Sequence, residues 1–296
     1  MLKSWTLMIA AYVVAAAIAI GLAFWLHAAH PLVIVAVADT AATVVVFAFS
    51  LALNNSSWYD PYWSVAPPFI AAFWLLQPNS GGFGPLRHVL VLVLLCVWAA
   101  RLTYNFASQW KGIGHEDWRY VDMHRQYGRF YWPISFLGIH LMPTILVFLG
   151  CLALWPALDS GKQPFNWLDV VAGIVTAGAI VIEATADLQM RRFRRAAKEP
   201  GQIPPGLWSL SRHPNYFGEV LFWWGLFLFA LAAAPAYWWV IIGPLAILLL
   251  FLFVSIPLME KHLLEKRPDY TAYQQRVSPF VPWPQRKQVI PDLQAE

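Results

Sequence analysis

The chain has 296 residues, 59% of them hydrophobic and 12% charged, with a mean hydropathy of +0.53. Soluble domains carry about 25% charged residues, so this composition excludes an ordinary soluble domain and describes an integral membrane protein. The net charge of +4 and pI of about 9.1 do not point to nucleic acid, because the basic residues sit in short loops between apolar runs.

A membrane-spanning helix needs about 20 apolar residues. Eight segments are read as spans: 5–26, 32–53, 64–77, 87–106, 134–155, 167–188, 216–234 and 237–258. The predicted fold class is therefore all-α, a polytopic membrane protein with about eight transmembrane helices. The first segment is too long for the core of a signal peptide. The third is short, and Pro67–Pro68 is expected to bend or break it. Cys96 and Cys151 each lie inside an apolar run and form no CxxC, so they read as small core residues. Without an internal repeat, low-complexity segment or long linker, residues 1–296 read as one domain, with a cofactor-binding half over 165–285.

Lys and Arg are unevenly spread. Segment 107–133 holds Lys111, Arg119, Arg125 and Arg129; segment 189–215 holds Arg191, Arg192, Arg194, Arg195, Lys198 and Arg212. The tail adds Lys261, Lys266, Arg267, Arg276, Arg286 and Lys287, whereas the loops near 78–87 and 156–166 hold only Arg87 and Lys162. The positive-inside rule puts the rich loops in the cytoplasm. With eight spans, both termini and the loop 54–63 fall on that side too, so a soluble ligand arrives from the cytosol.

Several constellations carry chemistry. In EATADLQMRRFRR, residues 183–195, Glu183, Asp187, Arg191 and Arg194 recur along one helix face. Arginine forks suit phosphate and carboxylates suit sugar hydroxyls; the plainer reading is a basic helix end resting on lipid phosphates. In LWSLSRHPNYFGE, residues 207–219, Pro214 starts a helix beside Arg212 and His213. A helix N-terminus favours phosphate. Asn215 offers a flat amide edge to a nicotinamide carboxamide or an adenine, and Glu219 lies one turn further on. The loop NNSSWYDPYW, residues 54–63, sets Asp60 between Tyr59 and Tyr62, an arrangement for proton delivery or an interfacial aromatic belt with an Asp-Pro turn.

Two further stretches are less specific. RLTYNFASQWKGIGHEDWRY, residues 101–120, places Arg101 inside a span and His115, Glu116 and Asp117 side by side. Adjacent residues share no helix face and no HExxH is present, so no metal is assigned. The tail around Glu260, His262, Glu265, Asp269, Tyr270 and Tyr273 reads as a solvated helix or as a lid over a nucleotide. No G-x-G-x-x-G follows a strand, so a dinucleotide is not held by a Rossmann unit. The histidine boxes of a membrane di-iron enzyme are missing, and His27 and His30 stand alone.

SRHPNYFGE, RLTYN…HEDWRY and the tail RPDYTAYQQRVSPFVPW resemble the steroid 5α-reductase superfamily, in particular its bacterial branch of DUF1295-like membrane proteins. The resemblance runs from about residue 45 onward. It implies an NADPH site in the cytoplasmic, C-terminal half, in a bacterial inner membrane protein. Asp187, Arg191 and Arg194 fall on the stretch that holds NADPH, and Glu183 where those enzymes carry asparagine. Asn215 and Glu219 fall on their cofactor-contacting residues, and Tyr270 on the tail that closes over the nucleotide. Tyr59–Asp60 falls near their ketone-polarising pair. Trp98 stands near their proton-donating tyrosine, leaving Tyr59, Tyr62 or Tyr104 to replace it. RHPxYxG also occurs in the related isoprenylcysteine carboxyl methyltransferases.

The expected activity is NADPH-dependent reduction of an activated C=C bond in a steroid-like or other lipid that enters laterally from the membrane. Arg191, Arg194 and Arg212 would pair with phosphates, beside His213, Tyr216, Asn215 and Glu219. Asp60 with Tyr59 or Tyr62 would polarise the acceptor or deliver the proton. The alternative is an S-adenosylmethionine-dependent membrane methyltransferase. No nucleic acid, metal or obligate protein partner is expected.

Overall fold

The computed structural model describes residues 2–78, 85–196, 202–267 and 269–285. Lys198, Arg286 and Lys287 lie outside the described residues. The described residues form twelve α-helices: α1 (Leu2–Trp25), α2 (Pro31–Ala52), α3 (Tyr62–Leu75), α4 (Leu86–Gln109), α5 (Trp118–Tyr127), α6 (Tyr131–Ser135), α7 (Met142–Cys151), α8 (Trp167–Arg195), α9 (Pro214–Ala233), α10 (Ile242–Leu250), α11 (Ile256–Lys266) and α12 (Tyr270–Arg276). Among the described residues the sole β pairing is one isolated bridge, Ser211 with Ser278.

Among the described residues seven segments are long and apolar enough to cross a membrane: α1, α2, α4, Trp118–Ser160, α8, α9 and Pro235–Lys266. The third expected span is not among them. At 14 residues, α3 reaches about 21 Å, short of a hydrocarbon layer of about 30 Å. Pro67 and Pro68 stay inside α3 and do not break it. Even so, α3 and α4 run out and back. Asn55, before α3, donates to the carbonyls of Ile113 and His115, after α4, at 2.8 and 3.1 Å. The loop at 54–61 and the loop after α4 therefore share one end of the fold, as the spacing of basic loops predicts.

The long segments keep their continuity by widening at prolines. π-helical turns occupy Phe136–Leu141, Pro156–Ser160 and Phe251–Ser255, beside Pro143, Pro156 and Pro257. A proline removes the N–H that the carbonyl four residues back would use, and a wider turn finds the next donor.

The chain divides into two compact units. One comprises residues up to Val170 with Leu226–Gly243; the other comprises Val171–Gly225 with the described residues from Pro244 onward. Of the range 165–285, residues 165–170 and 226–243 fall in the first unit. In the first unit Trp58, Trp74, Trp98 and Tyr131 are fully buried. Arg87 of α4 forms a buried pair with Asp169 at 2.6 Å and also donates to the carbonyls of Gln163, Pro164 and Ala232. In the second unit small residues bring α8 and α9 together. A Cβ added to Gly225 would stand 2.1 Å from Thr176 Oγ1, and one on Gly218 2.4 Å from Glu183 Cγ.

Candidate functional site

In the first unit the loop after α2 is built by its own turn chemistry. Asn54 adopts φ 50°, a left-handed conformation that asparagine tolerates. The Asn55 N–H reaches Ser50 O at 2.9 Å and the Asn54 N–H reaches Leu51 O at 3.3 Å, the paired bonds of a Schellman cap. Asn55 then caps the 3₁₀ turn Ser56–Trp58 by accepting from the Ser57 N–H. The neighbouring loop is fastened to it. Glu116 accepts from the Ser56 N–H at 2.7 Å, and the Asp117 N–H donates to the Ser57 hydroxyl at 2.9 Å. The trio His115–Glu116–Asp117 is thus a loop fastener, and among the described residues no group of three or more His, Cys, Asp or Glu is placed to hold a metal.

Asp60 closes this turn. Its Oδ1 accepts the Tyr120 hydroxyl at 2.6 Å, and the Ser57 hydroxyl also bonds it. Burial pushes its carboxyl up to about 7, outweighing the nearby Arg119 charge and the Tyr120 and Ser57 bonds, with Asp117 adding to the rise. A carboxyl tuned there can exchange a proton near neutral pH. Tyr120 and Arg119 were not singled out as partners of Asp60, although both belong to the stretch HEDWRY.

Tyr59 and Tyr62 stack on each other at 5.1 Å, but their hydroxyls do not join Asp60. Tyr59 donates to Thr144 Oγ1 at 2.7 Å, and burial holds its phenol above the ordinary range. The Tyr62 hydroxyl meets Asp39 Oδ1 at 2.6 Å. The expected catalytic trio is therefore divided between Asp60, facing Tyr120, and two tyrosines directed into the helices. Trp98 is core. Tyr104 lines an outward-facing apolar groove of about 450 Å³ between α3 and α4, with Ser64, Pro68, Phe69 and Thr103.

The second unit holds the other expected residues. Pro214 is the first residue of α9, as its fixed φ and absent N–H favour. Gly218 lies against Glu183 Cγ, so the α8 row Glu183, Asp187, Arg191 and Arg194 has its first member beside the start of α9. Glu183 is buried, Asp187 and Arg191 are half-buried and Arg194 is exposed. Glu219 is buried and accepts the Trp223 indole N–H at 2.9 Å. His213 stacks on Tyr216 at 5.2 Å, and Tyr216 packs on Phe251. Asn215 Oδ1 is buried and has no hydrogen-bond partner among the described residues. Tyr270 is buried, and burial raises its phenol.

Arg212 departs from its expected role. Nε and Nη2 donate to Glu260 at 2.6 and 3.1 Å, and Nη1 donates to the carbonyls of Gln274 and Val277 at 2.8 and 2.6 Å. Four of five guanidinium donors are thereby committed within the chain. Glu260 also accepts from His213 Nε2 at 3.1 Å and Gln274 Nε2 at 2.9 Å. Arg212 therefore braces the tail. The tail is fastened at four more points: Tyr273 to Trp208 O, Ser211 to Phe280 O, the Arg212 N–H to Ser278 O and the Trp283 N–H to Leu210 O. It is neither a free solvated helix nor a loose lid.

This architecture is that of an all-helical polytopic membrane protein with an ionisable cluster in each of its two units. Residues 46–277 match the family described as "Protein of unknown function (DUF1295)", and the chain belongs to that family. It is 27% identical over 263 residues to Uncharacterized protein C594.04c of Schizosaccharomyces pombe, covering 80% of this chain and 76% of that protein. No solved structure matches the chain.

Proposed function

We propose that the protein is a membrane-embedded reductase of the steroid 5α-reductase type, using NADPH to reduce an activated C=C bond of a lipid. One observation carries this reading. The carboxylate and arginine row of α8 begins with Glu183 beside an α9 N-terminus whose Asn215 Oδ1 is buried and lacks a hydrogen-bond partner among the described residues. A ligand amide or amino group supplies that missing donor, which a nicotinamide carboxamide or an adenine fits. Arg191 and Arg194 would take the phosphates and Asp187, with Glu183 behind it, the ribose hydroxyls. Tyr270 would cover the nucleotide, with Arg212 bracing the tail that carries it. The cofactor would supply a hydride to the lipid. Asp60, hydrogen-bonded to Tyr120, would exchange the proton, and the groove beside Tyr104 would admit an apolar substrate from the membrane. The Lys- and Arg-rich ends would face the cytoplasm of a bacterial cell.

Thermal unfolding of the purified protein with NADPH, NADH or S-adenosylmethionine tests this reading. A ligand of the folded state stabilises by mass action, about 2.7 kcal/mol at a hundred times its Kd. NADPH is expected to raise the midpoint most. A rise with S-adenosylmethionine alone would favour a methyltransferase and end the reductase reading.

A further inference from the structure

Asp39 lies in the interior of α2, 6% exposed, about 12 Å from Pro31 at one helix end and about 20 Å from Ala52 at the other. An ionisable group at such depth in a membrane bundle marks a functional pathway more often than a packing site. Its Oδ1 meets the Tyr62 hydroxyl at 2.6 Å, and its Oδ2 is buried without a hydrogen-bond partner among the described residues. The titratable groups that interact with it are Tyr59 from the loop, Tyr62 of α3 and Cys151 of α7. None of these is a cation, so a proton is the partner its charge can take.

The hydrogens of this cluster can be counted. Thr144 Oγ1 donates to His140 O, so its contacts with Tyr59 at 2.7 Å and Thr43 at 2.6 Å are accepted bonds. Thr43 bonds Tyr62 as well, and Tyr62 bonds Asp39. With the 3.1 Å contact of Tyr62 to Asp39 O, six contacts draw on four hydroxyls, which own one hydrogen each. A proton on Asp39 supplies a fifth hydrogen.

We propose that Asp39 is a membrane-buried proton-exchange site, connected to the loop at 54–61 through the hydroxyls of Tyr62, Thr43, Thr144 and Tyr59. Release begins with two turns: the Thr144 hydroxyl swings its hydrogen from His140 O to Tyr59, and the Tyr59 hydrogen swings away from Thr144. The Asp39 O–H bond then breaks as Tyr62 gains that hydrogen and passes its own to Thr43, Thr43 to Thr144 and Thr144 to Tyr59, whose hydrogen leaves to a base at the loop. A carboxylate remains at Asp39, and uptake reverses each transfer. The site stands apart from the NADPH reading, because it uses no residue of the second unit and needs no cofactor.

Infrared spectroscopy of the full chain in phosphatidylcholine vesicles tests it directly. The wild type is expected to show a protonated-carboxyl band that moves in D₂O and is lost in Asp39→Asn. Thr144→Val should keep that band and slow its hydrogen–deuterium exchange several-fold, because it interrupts the chain without touching Asp39. Tyr62→Phe should shift the band and slow exchange too, and it serves if Asp39→Asn does not fold. A spectrum with no protonated carboxyl assignable to Asp39 at any pH would overturn the proposal. So would exchange equally fast in the wild type, Thr144→Val and Tyr62→Phe.

Discussion

Arg212 holds Glu260 in a two-point ion pair, Nε to Oε1 at 2.6 Å and Nη2 to Oε2 at 3.1 Å, across 48 residues of sequence. Removing one member of a buried pair leaves the other charge without compensation and costs about 3–5 kcal/mol. Arg212→Ala is expected to lower stability by that order in denaturant titrations of the detergent-solubilised protein. Arg212→Lys should recover little, because an ammonium cannot reach Glu260 and two carbonyls from one point. A lysine variant as stable as the wild type would show that charge alone matters.

Close contact between α8 and α9 makes their glycines unequal. Gly218→Ala places a methyl 2.4 Å from Glu183 Cγ and 3.0 Å from Ala179 O, and overpacking of this kind costs about 1–3 kcal/mol. Gly178→Ala meets nothing within 4 Å and should stabilise by about 0.5–1 kcal/mol through helix propensity. Unfolding midpoints of the two variants should move in opposite directions.

Asp60 gives the stability a pH dependence. Its folded carboxyl titrates at about 7 against an ordinary value of 3.8. Between these values the folded state binds the extra proton, so stability falls as pH rises through the window. The contribution is complete below 3.8 and gone above about 7. Wild-type melting temperatures should decline across that interval, and Asp60→Asn should flatten the decline. Tyr120→Phe, which removes a bond that favours the charged form, should extend the window upward.

If Arg194 holds a phosphate, Arg194→Ala removes a charge-assisted bond worth about 1.5–3 kcal/mol. NADPH affinity should fall about 10- to 100-fold and become less sensitive to salt. An unchanged affinity would remove Arg194 from the phosphate site while leaving the reductase class intact.

Local chemistry was legible where one or two residues decide it. Pro214 announces the start of α9, and the alternation of basic loops announces which loops share an end. The π turns were not legible, since a proline in a long apolar run equally suggests a kink. Arg212 shows why the site was only half readable. Its type and its place before a helix suggest phosphate, but Glu260, Gln274 and Val277, which take its donors, arrive 48 to 65 residues later. Asp39 is the one carboxylate within the segment 32–53, but its partner Tyr62 lies 23 residues away and meets it only through packing of α3 on α2.

The tail bonds also set an order of assembly. A nascent chain that has emerged only to residue 255 has Arg212 and the start of α9 in place but neither Glu260 nor the carbonyls of Gln274 and Val277. The second unit must then mature after synthesis of its last strap, and a reporter inserted between residues 260 and 283 would arrest it in that unfinished state.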